Sequence, residues 1–260
     1  AVAGGLTTFM DMPNTTPPTL NAAALQAKYD AAAGRAWGNF GFYLGASNDN
    51  LQDVRTLDPK TAPGIKVFMG ASTGNMLVDN PDTLDAIFRE APTPIITHCE
   101  DTPTINANLA LFKVKYGDDI PVECHPDIRS REACIKSTQL ALSLARKHGT
   151  QLHVLHISTA DELTLFKAGP LIDAAGVRKR ITAETCIHFL RFDRSDYARL
   201  GNLIKCNPAI KEASDREALI RALCDDVIDI LATDHAPHTL EEKAKGYEQA
   251  PGGLPLVQYA

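Results

Sequence analysis

None of the six cysteines, Cys99, Cys124, Cys134, Cys186, Cys206 and Cys224, forms a Cys-x-x-Cys pair. That removes a zinc ribbon and a thioredoxin-type redox motif. Neither Gly-x-Gly-x-x-Gly nor Gly-x-x-x-x-Gly-Lys-Ser/Thr is present, and the stretch Gly70-Ala71-Ser72-Thr73-Gly74 lacks the lysine of a phosphate-binding loop. No apolar run approaches the length that spans a bilayer. The basic residues are scattered under a net charge of −6, so nothing marks a nucleic-acid surface. An initiator methionine and a secretory signal are also missing. The chain opens on Ala1-Val2-Ala3-Gly4-Gly5, which reads as the middle of a longer sequence. Free thiols in a reducing cytoplasm are the expectation. What remains is ordinary globular composition, 44% hydrophobic and 22% charged over 260 residues, enough for one α/β domain covering residues 1–260.

Apolar β-rich runs alternate with helical patterns along the whole chain. Strands are expected at Leu6–Met12, Asn39–Leu44, Gly64–Met69, Pro94–His98, Gln151–His156, Arg180–Thr185 and Val227–Leu231, the last as a buried strand. Helices are expected at Asn21–Ala33, Asp79–Arg89, Ser130–Lys147, Thr159–Ala168 and Ser214–Cys224, with Ser214 and Glu217 spaced as a capping box. Strictly alternating β and α means a parallel sheet. Seven strands are visible where a TIM (β/α)8 barrel has eight. The economical expectation is a barrel whose first strand precedes Ala1; an open doubly wound sheet is the alternative.

In a barrel the strand ends converge on one face. Those positions hold Asn14, His98, His156, Glu184 and Asp234, with Lys66 inside its strand. Imidazole and carboxylate suit zinc and similar divalent ions. Asp234 opens the run Asp234-His235-Ala236-Pro237-His238, which read alone is either a site or a polar turn. Lys66 within Gly64-Ile65-Lys66-Val67-Phe68-Met69 is either a strand lysine reaching a carboxylate or an amine carbamylated by CO2, because burying an ammonium is costly. His125, His148, His153 and His235 have no role on this reading. His153 is expected on the opposite side of its strand from the barrel interior.

Six segments in order carry a resemblance: Asp11-Met12-Pro13-Asn14-Thr15, Gly64–Met69, Thr97-His98-Cys99-Glu100, Leu155-His156-Ile157-Ser158-Thr159, Asn207-Pro208-Ala209-Ile210 and Ala232–Lys243. Together they resemble the dihydroorotases of the cyclic amidohydrolase family, within the metal-dependent amidohydrolase superfamily. The resemblance implies a distorted TIM barrel with two zinc ions. It implies carbamylated Lys66 as the bridge, His98 and His156 on one zinc, and Asp234 on the other and as proton shuttle. Asn14 and His238 match positions that hold a substrate carboxylate. Asn207 and the Gly252-Gly253 turn match a loop that closes over the ring, and His188 matches a position near the site. Family members also carry a His-x-His-x-Arg motif at the end of the first strand and a small β-rich domain built from both termini; neither is in this sequence.

The implied reaction is the reversible hydrolysis of dihydroorotate to carbamoyl aspartate, by water activated between the zinc ions. Hydantoinase, dihydropyrimidinase and allantoinase share the implied fold and centre, and Met12-Pro13-Asn14-Thr15 favours dihydroorotase over them. A mononuclear site with unmodified Lys66 and a non-catalytic scaffold for aspartate transcarbamoylase are the remaining alternatives. The partners expected are a small-molecule substrate, with a homo-oligomer or that transcarbamoylase as protein partner, and neither nucleic acid nor membrane.

Overall fold

The computed structural model describes residues 1–70 and 76–259; most of the glycine-containing stretch after the Lys66 strand, residues 71–75, lies outside them. Eight strand segments run in chain order: β1 (Thr8–Asp11), β2 (Asn39–Phe42), β3 (Leu44–Gly45), β4 (Ile65–Phe68), β5 (Ile95–His98), β6 (Leu152–Val154), β7 (Ile181–Cys186) and β8 (Ile230–Ala232). All pairings are parallel. β1 pairs with β2, and the other six form one sheet in the order β3-β4-β5-β6-β7-β8. Only Tyr43 separates β2 from β3, so one bent strand carries the wall from the small sheet into the large one. Neighbours in space are therefore neighbours in sequence throughout. A doubly wound sheet reverses its order at a switch point, and this one never does. The winding is that of a (β/α) barrel, open between β8 and β1 among the described residues.

β4 and β5 are buried at every position, as expected when helices cover one side and a barrel interior the other. The outer layer is apolar: Ile65, Val67, Ile95, Leu152, Val154 and Ala183 pack with helix residues such as Leu84, Ile87, Ala141 and Leu142. The helix Arg131–His148 follows from its sequence signals. Ser130 accepts from the Ala133 amide at its start, and Gly149 takes the left-handed conformation (φ 66°) at its end. The helix Thr102–Tyr116, capped by Asp101 on Thr104, was not anticipated, although Asp101-Thr102-Pro103 is a clear start signal.

Three expectations shift. The helix expected from Ser214 starts at Ala213, and its reciprocal cap is Glu212 with Asp215. Asp215 is nearly fully buried, and its carboxylate also binds Arg131 and the Ala160 amide, which moves the cap upstream. The helix expected over Thr159–Ala168 is the single turn Ala160–Leu163, and Thr164 Oγ1 donates to the Asp161 carbonyl at 2.8 Å just beyond it. The strand expected at Val227–Leu231 begins three residues later, because the Val227 and Ile228 amides are taken by the Ala222 carbonyl at the helix end. Nor is it buried: Ile230 and Leu231 are 41% and 45% exposed, since β8 is an edge that pairs only with β7.

All six cysteines are free, and no helix among the described residues is long and apolar enough to cross a membrane. The loops after β4 and β5 are locked together at Gly70, where an added Cβ would lie 1.6 Å from the Glu100 carbonyl oxygen. Gly70→Ala must displace main chain, and a loss of about 2–4 kcal/mol is expected in urea unfolding. An unchanged midpoint would show that this contact is soft.

Candidate active site

Register decides which side chains share the barrel interior. Lys66 on β4 lies beside Ile96 on β5, Ile96 beside His153 on β6, and His153 beside Thr182 on β7. In-register parallel partners point to the same side, so these four line the interior. Two residues further along their strands, Phe68, His98 and Glu184 do the same. Tyr43, Ile96 and Leu155 form a small apolar floor with Met12 against them.

His153 is thus inside, correcting the expectation that it faces away. Its Nε2 is 3.0 Å from Glu184 Oε2, and its Nδ1 is 2.8 Å from Thr182 Oγ1. The error has a physical cause. Counting back from His156 by strict alternation puts His153 on the opposite face. β6, however, ends at Val154, and His156 is left-handed (φ 41°), which breaks the alternation. Asp234 sits likewise two residues beyond β8 with φ 45°. Such conformations cost about 1–3 kcal/mol each for a non-glycine residue and concentrate at functional sites.

His98 and His156 meet. His98 Nδ1 and His156 Nε2 are 2.9 Å apart, and His98 Nε2 is 2.8 Å from Glu100 Oε2. Burial pushes both imidazoles below their usual range, and the Lys66 ammonium adds to it in each case. Both are therefore neutral. Glu100 is wholly buried and ion-paired to Arg129. Burial raises its carboxyl, but Arg129 and the His98 hydrogen bond outweigh that and hold it at about 2. As carboxylate it can only accept, so His98 carries its proton on Nε2 and presents a lone pair at Nδ1. His156 then donates from Nε2, and its Nδ1 is left buried without a partner. Glu100 escaped the sequence reading. Its signal was the two-residue offset from His98, which returns a side chain to the same side of extended backbone.

Lys66 is fully enclosed. Burial lowers its ammonium to about 8, against the pull of Asp234, Glu184 and Cys99. Its Nζ stands 4.4 Å from the centre of the Phe68 ring. Desolvation raises the Asp234 carboxyl to about 6, with Lys66 opposing and Glu184 adding to the rise. Lys66 and Asp234 therefore feel each other, the lysine buried in its strand and the aspartate exposed beyond the end of β8.

The expected carboxylate-holding residues divide. Gly252 abuts Asn207, where an added Cβ would lie 3.0 Å from Nδ2. At Gly253 (φ 145°) it would lie 2.5 Å from the Ala236 carbonyl and 3.2 Å from His238 Cδ2. Asn207, His238, Gly252 and Gly253 thus gather in one place, and Asn207 Oδ1 is buried without a partner. Asn14 is exposed after β1 and makes no hydrogen bond to the others among the described residues.

Two neutral imidazole nitrogens 2.9 Å apart suit one divalent ion, because tetrahedral ligands at about 2.0–2.1 Å lie only slightly further apart. Lys66 and Asp234 are the further donors in electrostatic reach. Among the described residues, no group of three or more His, Cys, Asp and Glu side chains is already drawn to ligation distance. The pair fits a metal as a partial ligand set.

This winding is shared with known enzymes. The model of the amidohydrolase family matches residues 1–251, and the chain belongs to that family. It is 33% identical to an allantoinase of Streptomyces avermitilis and 31% identical to a dihydroorotase of Methanothermobacter thermautotrophicus, over 99% of the chain in each case. The L-hydantoinase (dihydropyrimidinase) of Arthrobacter aurescens superposes with a TM-score of 0.86 at 28% identity, over 98% of this chain and 56% of that one. The chain spans 57% and 56% of the allantoinase and the dihydroorotase.

His188 is the test of how finished this pocket is. It is 1% exposed, neither ring nitrogen has a partner, and burial lowers its imidazole to about 3. Replacing an unsatisfied buried polar group by an apolar one of similar size is neutral or stabilising. His188→Leu is expected to leave the urea midpoint unchanged or raise it by about 1 kcal/mol. A loss beyond about 2 kcal/mol would mean that the ring is hydrogen-bonded in solution.

Proposed function

We propose that the protein this chain belongs to is a metal-dependent cyclic amidohydrolase, and within that class a dihydroorotase. It opens dihydroorotate to carbamoyl aspartate and closes the ring in the reverse direction. The observation that carries the reading is the meeting of neutral His98 and His156 beside buried Lys66, whose ammonium in turn feels the Asp234 carboxyl at the strand end.

His98 and His156 would hold one divalent ion, zinc being the ion that imidazole and carboxylate suit, and Asp234 a second. Lys66 would join them as a carbamate: its neutral amine adds to CO2 and releases one proton, leaving an anion with two oxygens. An amine lowered to about 8 reaches the neutral form far more readily than an exposed lysine. Bound there, the ions lower the pKa of water and polarise the amide carbonyl.

The chain's own groups do the rest. Glu100, fixed by Arg129, orients His98 through Nε2 and keeps Nδ1 available. Asp234, raised to about 6, takes the proton of the attacking water and passes it to the ring nitrogen as the carbon–nitrogen bond breaks. Asn207 and His238 receive the substrate. The six free thiols support a reducing compartment such as the cytoplasm.

The 33% identity to the Streptomyces allantoinase supports allantoin as the second reading. Assaying the full-length protein on dihydroorotate, allantoin, hydantoin and dihydrouracil separates them. Dihydroorotate is expected to lead in kcat/KM by about 100-fold or more, and Asp234→Asn to cut kcat by about 10²–10⁴. Preference for allantoin would transfer the assignment. Full activity in Asp234→Asn would remove the proton-transfer role.

A further inference from the structure

Two lysines next to the gathered loops are buried in an unusual way. Lys205 and Lys243 are 7% and 5% exposed, and neither ammonium has an ion-pair partner among the described residues. They bind main chain instead. Lys243 Nζ donates to the Lys205 and Pro251 carbonyls, each at 3.0 Å. Lys205 Nζ donates to the Tyr247 carbonyl and, at 2.6 Å, to the Ala250 carbonyl. It also stands 4.4 Å over the Tyr247 ring. The Lys205 carbonyl accepts a second bond, from the Gly253 amide at 2.9 Å. His125 adds a bridge, with Nδ1 2.8 Å from the Tyr247 hydroxyl and Nε2 2.8 Å from the Cys206 carbonyl.

Burying an ammonium without an ion-pair partner is costly, so packing alone would be served better by methionine or leucine. What the charges accomplish is geometric. Each joins the returning segment 244–253 to the 205–207 turn by carbonyls that no side-chain rotation can withdraw. The result is the close seat of Gly252 on Asn207 and of Gly253 on Ala236 and His238.

We propose that Lys205 and Lys243 are a two-ammonium latch that holds the segment 244–253 closed against Asn207, and thereby sets how tightly the site holds its substrate. Both are positioning residues that do not touch the substrate. The effect on substrate affinity rests on the cyclic amidohydrolase reading; the latch itself does not.

The test is Lys243→Met in the full-length protein, which keeps the apolar stem and removes the donors. Hydrogen exchange across 246–254, including the Gly253 amide, is expected to accelerate about tenfold or more, while the β4, β5 and β6 amides keep their rates. KM is expected to rise about tenfold with kcat within about threefold, and Lys243→Arg, which retains donors, to recover part of both. Unchanged exchange in 246–254 would overturn the latch. So would acceleration spread equally over β4–β6, which would make Lys243 a general structural residue. Faster exchange with KM unchanged would overturn the link to affinity. If Lys243→Met does not fold, Lys243→Gln and Lys205→Met are read by the same exchange measurement. If the full-length protein turns over none of the four cyclic amides, the exchange result still decides the latch, while the proposed function fails on its own assay.

Discussion

The buried ammonium of Lys66 lies in the field of the Asp234 carboxyl, which stands solvent-exposed beyond the end of β8, and much of the molecule is arranged around that pairing. The lysine is not at ease: burial pulls it down to about 8. A barrel wall can enclose such a group only if its outer face supplies the stability, and it does. Ile65, Val67, Ile95, Leu152 and Val154 meet the helices in one continuous apolar layer. The inner face is then free to carry His98, His153, Glu184 and Lys66, residues that would destabilise an ordinary core. The two left-handed residues, His156 and Asp234, fit the same logic, because strain at the strand ends is sustained by a rigid wall below them.

Orientation propagates outward from that interior. His98 is aimed by Glu100, Glu100 by Arg129, and the 205–207 turn by a clamp of buried lysines. Each step is a charge or hydrogen bond in a low-dielectric setting, where a satisfied bond is firm and a missing one is costly. Among the described residues, the buried atoms left without a partner include both ring nitrogens of His188 and Asn207 Oδ1.

Much of this was legible in the sequence. Alternation of strand and helix, and with it a parallel barrel winding, was legible from local pattern, and so was the position of His98, His156 and Asp234 at or near strand ends, while their roles and that of Lys66 rested on the resemblance. What escaped depended on events that pattern does not encode. His153 was assigned to the wrong face because a left-handed turn at His156 interrupts the two-residue period. The final strand was placed three residues early because Val227 and Ile228 close the preceding helix. The cap at Glu212 required knowing that Asp215 is held by Arg131, 84 positions away. Glu100 was overlooked because its role is visible only once His98 and Arg129 are both beside it. The lysine clamp joins 205 to 243–251, a pairing that no local window contains.

The most direct test of the central claim is metal content per chain for the full-length protein, loaded with zinc in the presence of bicarbonate, beside Lys66→Ala and His98→Ala. The account predicts two ions in the parent, falling to one or fewer in each variant. An unchanged count in both variants, or no bound metal in the parent, would contradict it.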